Sequence, residues 1–351
     1  MSVTIQPHNS VYIHVEFEEP SDAKMFSEKV SEMIPNFSII KRNPKNYHRF
    51  KTWDGKIRYY NLKNGLLYKG LYTNLIQFCK EHNIPIVDLQ HNKTIKVDLK
   101  YLEKLNINVY DNATESYKKI TPDNNQIKAF KQAIEQRNLR IQMATGSGKT
   151  LFSYCLLHYL RNVVTGKIVI VVPRQDLGNQ FYSEYKSYSK FDKNFDMEDI
   201  SVIHSKSKDC PKNKILFITY QTLRNFEQDF FEQVEVLIID EGHKSSNKSL
   251  REIVEKCVNT RYKIGMSGTF EEKDPLVSDL CLQALLGDIF DVVSQRNLID
   301  SNRASDFEGR VYVLKHRQED VKLYKKLMNK KNELHDLEYQ SLKITKDQQM
   351  E

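Results

Sequence analysis

A chain of 351 residues with 40 % hydrophobic content is long enough for two or three domains and too apolar for global disorder. No apolar run reaches the roughly 18–20 residues that span a bilayer, and the N-terminal MSVTIQPHNS lacks a charged-then-apolar signal pattern, so the sequence reads as soluble, intracellular and cytoplasmic. Five scattered cysteines without a CxxC pair indicate neither a disulfide framework nor a zinc site, and the formal charge of +7 is modest.

In chain order, VYIHVEF (Val11 to Phe17) alternates apolar and polar residues as a half-buried strand does. The spacing predicts a helix from about Ser21 to Met33, stopped near Pro35. A basic and aromatic window comes next. Between Lys41 and Gly70 nine Lys or Arg stand against one acid, Asp54, while the other 321 residues are close to neutral. The same window holds Tyr47, Phe50, Trp53, Tyr59, Tyr60 and Tyr68. HRFKT and KIRYY flank Trp53-Asp54-Gly55, and Asp-Gly is a strong hairpin signal. A cationic hairpin suits phosphate contacts and aromatics can stack on exposed bases, which makes Arg49, Lys51, Trp53, Lys56 and Arg58 candidate nucleic-acid-binding residues. In the competing reading Trp53 and the tyrosines build a small core with solvated lysines around it. LYTNLIQFCKEH (71–82) has helical spacing, and the polar stretch from Asn106 to Asp123 reads as a linker. Residues 1–112 thus read as a small α+β domain.

From about Thr121 to Ile299 the pattern changes. RIQMA, KIVIVV, ILFITY, VEVLIID and YKIGMSG alternate with helical segments, which predicts an α/β lobe around a parallel sheet buried on both faces, over residues 113–308. RVYVL, from Arg310, reads as the first strand of a further unit, and a charged helical tail is expected from about Gln318 to Glu351.

Two segments carry the chemistry. Ala144-Thr-Gly-Ser-Gly-Lys-Thr150 follows one of the predicted strands and precedes the helical LFSYCLLHYL, which is the context of a P-loop. Backbone N–H groups at such a helix start cradle phosphates, and glycines allow the backbone to approach closely. Thr145, Gly146, Ser147, Gly148, Lys149 and Thr150 are therefore the expected ATP-binding residues, with Lys149 on the β- and γ-phosphates and Thr150 on Mg²⁺. Leu237-Ile-Ile-Asp-Glu-Gly-His243 is an apolar strand ending in two acids, the Walker B partner that a P-loop needs. Asp240 is expected to organise Mg²⁺, and Glu241 to position or deprotonate the attacking water.

These segments in this order resemble the motifs of superfamily 2 helicases. DEGH (240–243) is similar to the DEAH-type motif II, MSGT (266–269) to motif III, VVPRQDLGNQ (171–180) to motif Ia, and ITYQTL (218–223) to the strand end that contacts nucleic acid. The resemblance implies a RecA-like lobe in which Gln126 reads the adenine edge. It implies further that His243, Ser267 and Thr269 couple hydrolysis to DNA movement, and that Pro173, Arg174, Gln180 and Thr222 lie near the DNA backbone. The window NYHRFKTWDGKIRYYNLKNGLLYKGLYTNLIQFC resembles the N-terminal domain of phage UvsW-type recombination and repair helicases. The expectation is an ATP- and Mg²⁺-dependent DNA helicase or translocase acting on branched or duplex DNA in recombination, repair or replication.

The sequence departs from the full pattern in one respect. From Arg310 only 42 residues remain, against about 150 for a second RecA-like lobe, and no Q-x-x-G-R-x-x-R-like segment bearing an arginine finger is present. The expectation is a motor that works only with a second lobe supplied elsewhere. Two other readings stay open: a nucleic-acid-binding module whose nucleotide site is a switch without turnover, and the motor subunit of a restriction system, which no nuclease signature supports.

Overall fold

The structure is a computed structural model that describes residues 2–33, 54–90, 95, 97–111, 113–203, 212–242, 247–270, 279–293, 296 and 326. The chain divides into two units, residues 1–304 and 305–351, and all the sheets of the described residues belong to the first. HRFKT, Arg49, Lys51, Trp53, His243, RVYVL and, apart from Lys326, the charged tail lie outside the described residues.

The N-terminal part is built on a five-stranded sheet. β1 (Val3–Pro7) and β2 (Tyr12–Phe17) pair antiparallel, and their alternating residues Val3, Ile5, Ile13 and Val15 are fully buried. Helix α1 (Pro20–Lys29) starts on a proline in its first turn, where the missing N–H costs nothing, and ends four residues before the predicted helix end at Met33. The last of those four residues form β3 (Ser31–Met33) instead, which pairs antiparallel with β4 (Lys56–Arg58). The strand KIR expected in the hairpin is thus present, and its partner among the described residues is β3. β5 (Tyr60–Asn61) and β6 (Leu66–Tyr68) continue the sheet, helix α2 (Tyr72–Glu81) lies where helical spacing put it, and β7 (Ile86–Asp88) pairs parallel with β1. Tyr59, Tyr60 and Tyr68 are buried, so these aromatics of the basic window build core and do not present stacking faces.

The stretch read as a linker is ordered. After a short helix α3 (Lys100–Glu103), β8 (Ile107–Asp111) and β9 (Ser116–Ile120) form an antiparallel hairpin with Ile107 fully buried. Its polar composition reflects β9, whose residues 116–119 are all exposed.

The remainder is the α/β lobe. Seven parallel strands run in the order β12-β13-β11-β14-β15-β10-β16. They are β10 (Asn138–Met143), β11 (Lys167–Val172), β12 (Ile200–Val202), β13 (Ile215–Thr219), β14 (Val234–Asp240), β15 (Tyr262–Ser267) and β16 (Ile289–Val293). Both faces of β11 are apolar because both are covered. Ile168, Ile170 and Val172 point to one core, which contains α4 (Asn124–Gln136), α5 (Lys149–Leu160) and α6 (Gln175–Tyr188). Val169 and Val171 point to the other, which contains α7 (Tyr220–Leu223), α8 (Gln228–Glu232), α9 (Asn247–Lys256) and α10 (Asp279–Leu286). That second core is continuous with the core of the N-terminal sheet.

The seam between sheet and lobe is close-packed. The Ser10 hydroxyl donates to the Cys257 carbonyl at 2.6 Å, and the Lys263 ammonium to the Ser10 carbonyl at 2.5 Å. Thr73 donates to the Asp288 carboxylate at 2.6 Å. A Cβ on Gly70 would sit 1.9 Å from the Gln283 carbonyl, so only glycine fits there.

Candidate nucleotide site and nucleic-acid face

The strand order places β14, β15 and β10 side by side, and their carboxyl ends gather the expected motifs. This is the edge of a parallel sheet where ligands bind, because the loops leaving the strands diverge there. Residues 144–148 leave β10 and end at the first residue of α5, Lys149. Gly146 and Gly148 adopt φ of 82° and 84°, a region that favours glycine. A Cβ on Gly146 would meet nothing within 4 Å, whereas one on Gly148 would lie 2.2 Å from Gln126 Nε2. One glycine thus faces open space and the other is pressed against α4.

Lys149 crosses to β14. Its ammonium lies 3.1 Å from Glu241 Oε1, with both side chains largely buried. The Ser267 hydroxyl lies 3.2 Å from Glu241 Oε2 and 2.7 Å from the Thr269 carbonyl, and it accepts from the Thr269 N–H at 3.1 Å. Lys149, Glu241 and Ser267, which come from three separate motifs, therefore share one contact network. Ser267 is wholly buried and Thr269 is exposed. Glu241 has a φ of +50°, a conformation uncommon for a residue with a side chain and costing roughly 1–3 kcal/mol. Its N–H donates to the Met266 carbonyl at 2.8 Å, which fixes this turn against β15. No sequence signal marks that backbone state.

Gln126, expected at the adenine edge, stands at the start of α4 against the P-loop. It is buried, its Oε1 accepts from the Asp123 N–H at 2.9 Å, and its Nε2 donates to the Ser147 and Gly148 carbonyls at 3.1 and 3.3 Å. Asp123 reciprocates by accepting from the N–H of Gln126, which completes a capping box. Here the Gln126 amide ties the start of α4 to the P-loop. The pattern Asp-x-x-Gln was the available signal for this role.

ATP and Mg²⁺ can be tested for fit on these residues. The Ser147 hydroxyl is buried in the loop without a hydrogen-bond partner, as a group awaiting an oxygen ligand would be. Thr150, on the first turn of α5, and Asp240, at the end of β14, supply hard oxygen donors. Among the described residues no cluster of three or more His, Cys, Asp or Glu exists. Mg²⁺ takes one or two protein oxygens and completes its shell with phosphates and water.

The expected nucleic-acid residues are spread. Arg174 is exposed beside Asp176 at 3.4 Å, Pro173 is half-buried, and Gln180 is exposed with its amide on Glu184 at 2.9 Å. Thr222 is buried and its hydroxyl lies 3.0 Å from that of Thr219, which holds the turn after β13. Lys56 pairs with Glu28, and Arg58 is shared between Glu28 at 2.7 Å and Asp54 at 2.5 Å. The Arg58 guanidinium holds the Asp54 carboxyl at about 2, well below the usual range. Two of the cations expected to face DNA are thus already matched by acids of the same domain.

Sheet order, P-loop and strand-end acids define a RecA-like P-loop NTPase lobe. Residues 107–272 match the family described as "Type III restriction enzyme, res subunit", a match that begins at the hairpin. The chain is 25 % identical over 330 residues, 91 % of its length, to the "ATP-dependent DNA helicase uvsW" of Enterobacteria phage T4, and spans 62 % of that relative. Two crystal structures of the same T4 protein superpose with TM-scores of 0.70 and 0.72 at 24 % identity. They cover 83 % and 84 % of this chain, and 100 % and 57 % of their own chains. The likeness to UvsW-type proteins thus extends through the N-terminal sheet as well as the lobe. Among the described residues no helix is long and apolar enough to cross a membrane.

Proposed function

We propose that this chain is the first ATP-binding lobe, with its N-terminal domain, of an ATP-dependent DNA helicase or translocase that remodels branched or duplex DNA. The observation that carries the reading is the contact network of Lys149, Glu241 and Ser267 at the carboxyl ends of adjacent parallel strands. A triphosphate competes with Glu241 for the Lys149 ammonium. Once Lys149 turns to phosphate, Glu241 is released to orient water, and Ser267, hydrogen-bonded to it, registers the change and passes it to Thr269. Thr150 and Asp240 would hold Mg²⁺, which neutralises charge developing on the phosphates. Arg174 and Gln180, exposed on the loop and first turns after β11, are the motor residues best placed for a DNA backbone. The arginine finger comes from a second RecA-like lobe.

The test is phosphate release with single-stranded, duplex and branched DNA, with and without a supplied second lobe. Strong stimulation by DNA in the two-lobe assembly supports the reading. Nucleotide-dependent DNA binding without turnover in that assembly identifies a switch module instead.

A further inference from the structure

Among the described residues, three large exposed hydrophobic side chains gather in one place. Tyr110 and Tyr117 face each other across the β8–β9 hairpin, 44 % and 38 % exposed, with ring centroids 5.2 Å apart. Phe191, 51 % exposed in the loop after α6, lies 5.3 Å from Tyr117. The rings meet at 66° and 85°, edge to face, so each contact covers part of one ring's face, and the exposed remainder of the three rings is left for a flat partner. The edge is held from behind. The Tyr110 N–H donates to Ser187 Oγ at 3.2 Å, and the Asn106 amide donates to the Phe191 carbonyl at 3.0 Å. A cavity of about 460 Å³ lies along the hairpin, lined by Val109, Tyr110, Asp111, Ala113, Lys118 and Ile120. Single exposed apolar residues are ordinary on a surface, but three rings in mutual contact are not.

Exposed lysines surround this edge. Lys118 and Lys119 stand on β9, Lys186 on the last turn of α6, and Lys190 and Lys193 on either side of Phe191. All five are exposed, and among the described residues they form no ion pair with the nearby acids. Those acids are engaged otherwise. Asp192 is buried against His158 at 3.0 Å, Glu184 accepts from Gln180 and Tyr188, and Asp111 accepts from the Ala113 N–H. Glu115 stands exposed at the hairpin tip. Open ring faces flanked by unmatched cations are the chemistry that holds a single strand, with bases on the rings and phosphates on the ammonium groups. The site is separate from the motor face. Arg174 precedes α6 and the patch lies past its other end, 14 residues or roughly 20 Å along the helix.

We propose that the Tyr110–Tyr117–Phe191 edge binds single-stranded nucleic acid by base stacking, as a second strand contact beyond the motor's own. It rests on the reading of the chain as a DNA-acting protein.

The test is fluorescence anisotropy of the full chain with a 20-nucleotide oligo-dT and a blunt duplex of the same length. Tyr117→Ala with Phe191→Ala should weaken single-strand binding about 5- to 100-fold and change duplex binding less than twofold, at unchanged thermal stability. Tyr117→Phe should keep parental affinity, since the ring remains. If the double variant does not fold, Lys118→Gln with Lys119→Gln replaces it and should flatten the single-strand salt dependence by about 0.7 log units per lost contact. Parental single-strand affinity in the alanine pair, or in the glutamine pair where that one is used, overturns the inference while leaving the motor reading intact. A parent chain that binds neither DNA at low salt removes both readings.

Discussion

The ammonium of Lys149 and the carboxylate of Glu241 meet at 3.1 Å although 92 residues separate them. In the proposed function these two residues must later part, one for phosphate and one for water. Glu241→Gln keeps size and hydrogen bonding but loses the charge and the base. In a two-lobe assembly, turnover should fall by roughly 10²–10⁴ while ATP affinity stays equal to the parent's or rises, because the lysine is no longer held back. Steady-state phosphate release and nucleotide titration read both quantities. Unchanged turnover would show that another group positions the water.

Gln126 links helix capping to the P-loop. Gln126→Ala should lower stability by about 0.5–2 kcal/mol, as loss of capping partners does, and weaken ATP binding because the Ser147 and Gly148 carbonyls lose their donor. Gln126→Glu keeps the acceptor toward Asp123 and loses the donor, so it should retain more stability than alanine yet share its binding defect. Denaturant unfolding with ATP and GTP titrations separates the roles. Loss of ATP-over-GTP preference at full stability would return Gln126 to adenine recognition.

Lys263 is wholly buried and burial pulls its ammonium from 10.5 down to about 7. Between pH 7 and 10.5 the unfolded chain therefore holds a proton that the folded chain lacks, and stability rises with pH. The limiting slope is about 1.4 kcal/mol per pH unit. Above about pH 9 the buried thiols of Cys155 and Cys257, pushed up to about 12, act in the opposite sense, because only the unfolded thiols ionise. The lysine effect is therefore read between pH 7 and 8.5. Urea unfolding should show stability climbing over that range in the parent and a flatter profile in Lys263→Met. Equal slopes would mean that the ammonium stays charged inside.

The basic window should contribute less to DNA binding through Lys56 and Arg58 than their charge suggests. Each is paired with an acid of its own domain, so neutralising both should change the salt slope by less than the roughly 0.9 log units that one fully engaged phosphate contact gives in duplex DNA. Glu28→Gln should raise affinity by freeing both cations. A slope change near two contacts in the double neutralisation would show that the pairs open on DNA.

The motifs were legible because each couples a residue pattern to a strand end. Apolar runs gave the buried parallel strands, and the P-loop and Asp240-Glu241 were placed by their positions after β10 and β14. Other features left weaker marks. The hairpin 107–120 reads as a polar linker because its inward residues are few, and nothing in the sequence singles out Tyr110 and Tyr117 as neighbours. Lys263 lies in a strand whose burial was expected, but its acceptor, the Ser10 carbonyl, is 253 residues away and no local pattern announces it. Thr222 has the spacing of a nucleic-acid contact, and tertiary packing buries it. The positive φ of Glu241 depends on the hydrogen bond to β15, a partner that the sequence near Glu241 does not name.

The central claim is that residues 144–150 with Asp240 and Glu241 form a working nucleotide site, and calorimetric titration of ATP·Mg²⁺ into the chain tests it most directly. The expected result is one site per chain in the parent and a substantial loss of affinity in Lys149→Ala, because the phosphate charge is left unmatched in a partly buried pocket. Equal affinity in parent and variant would contradict it.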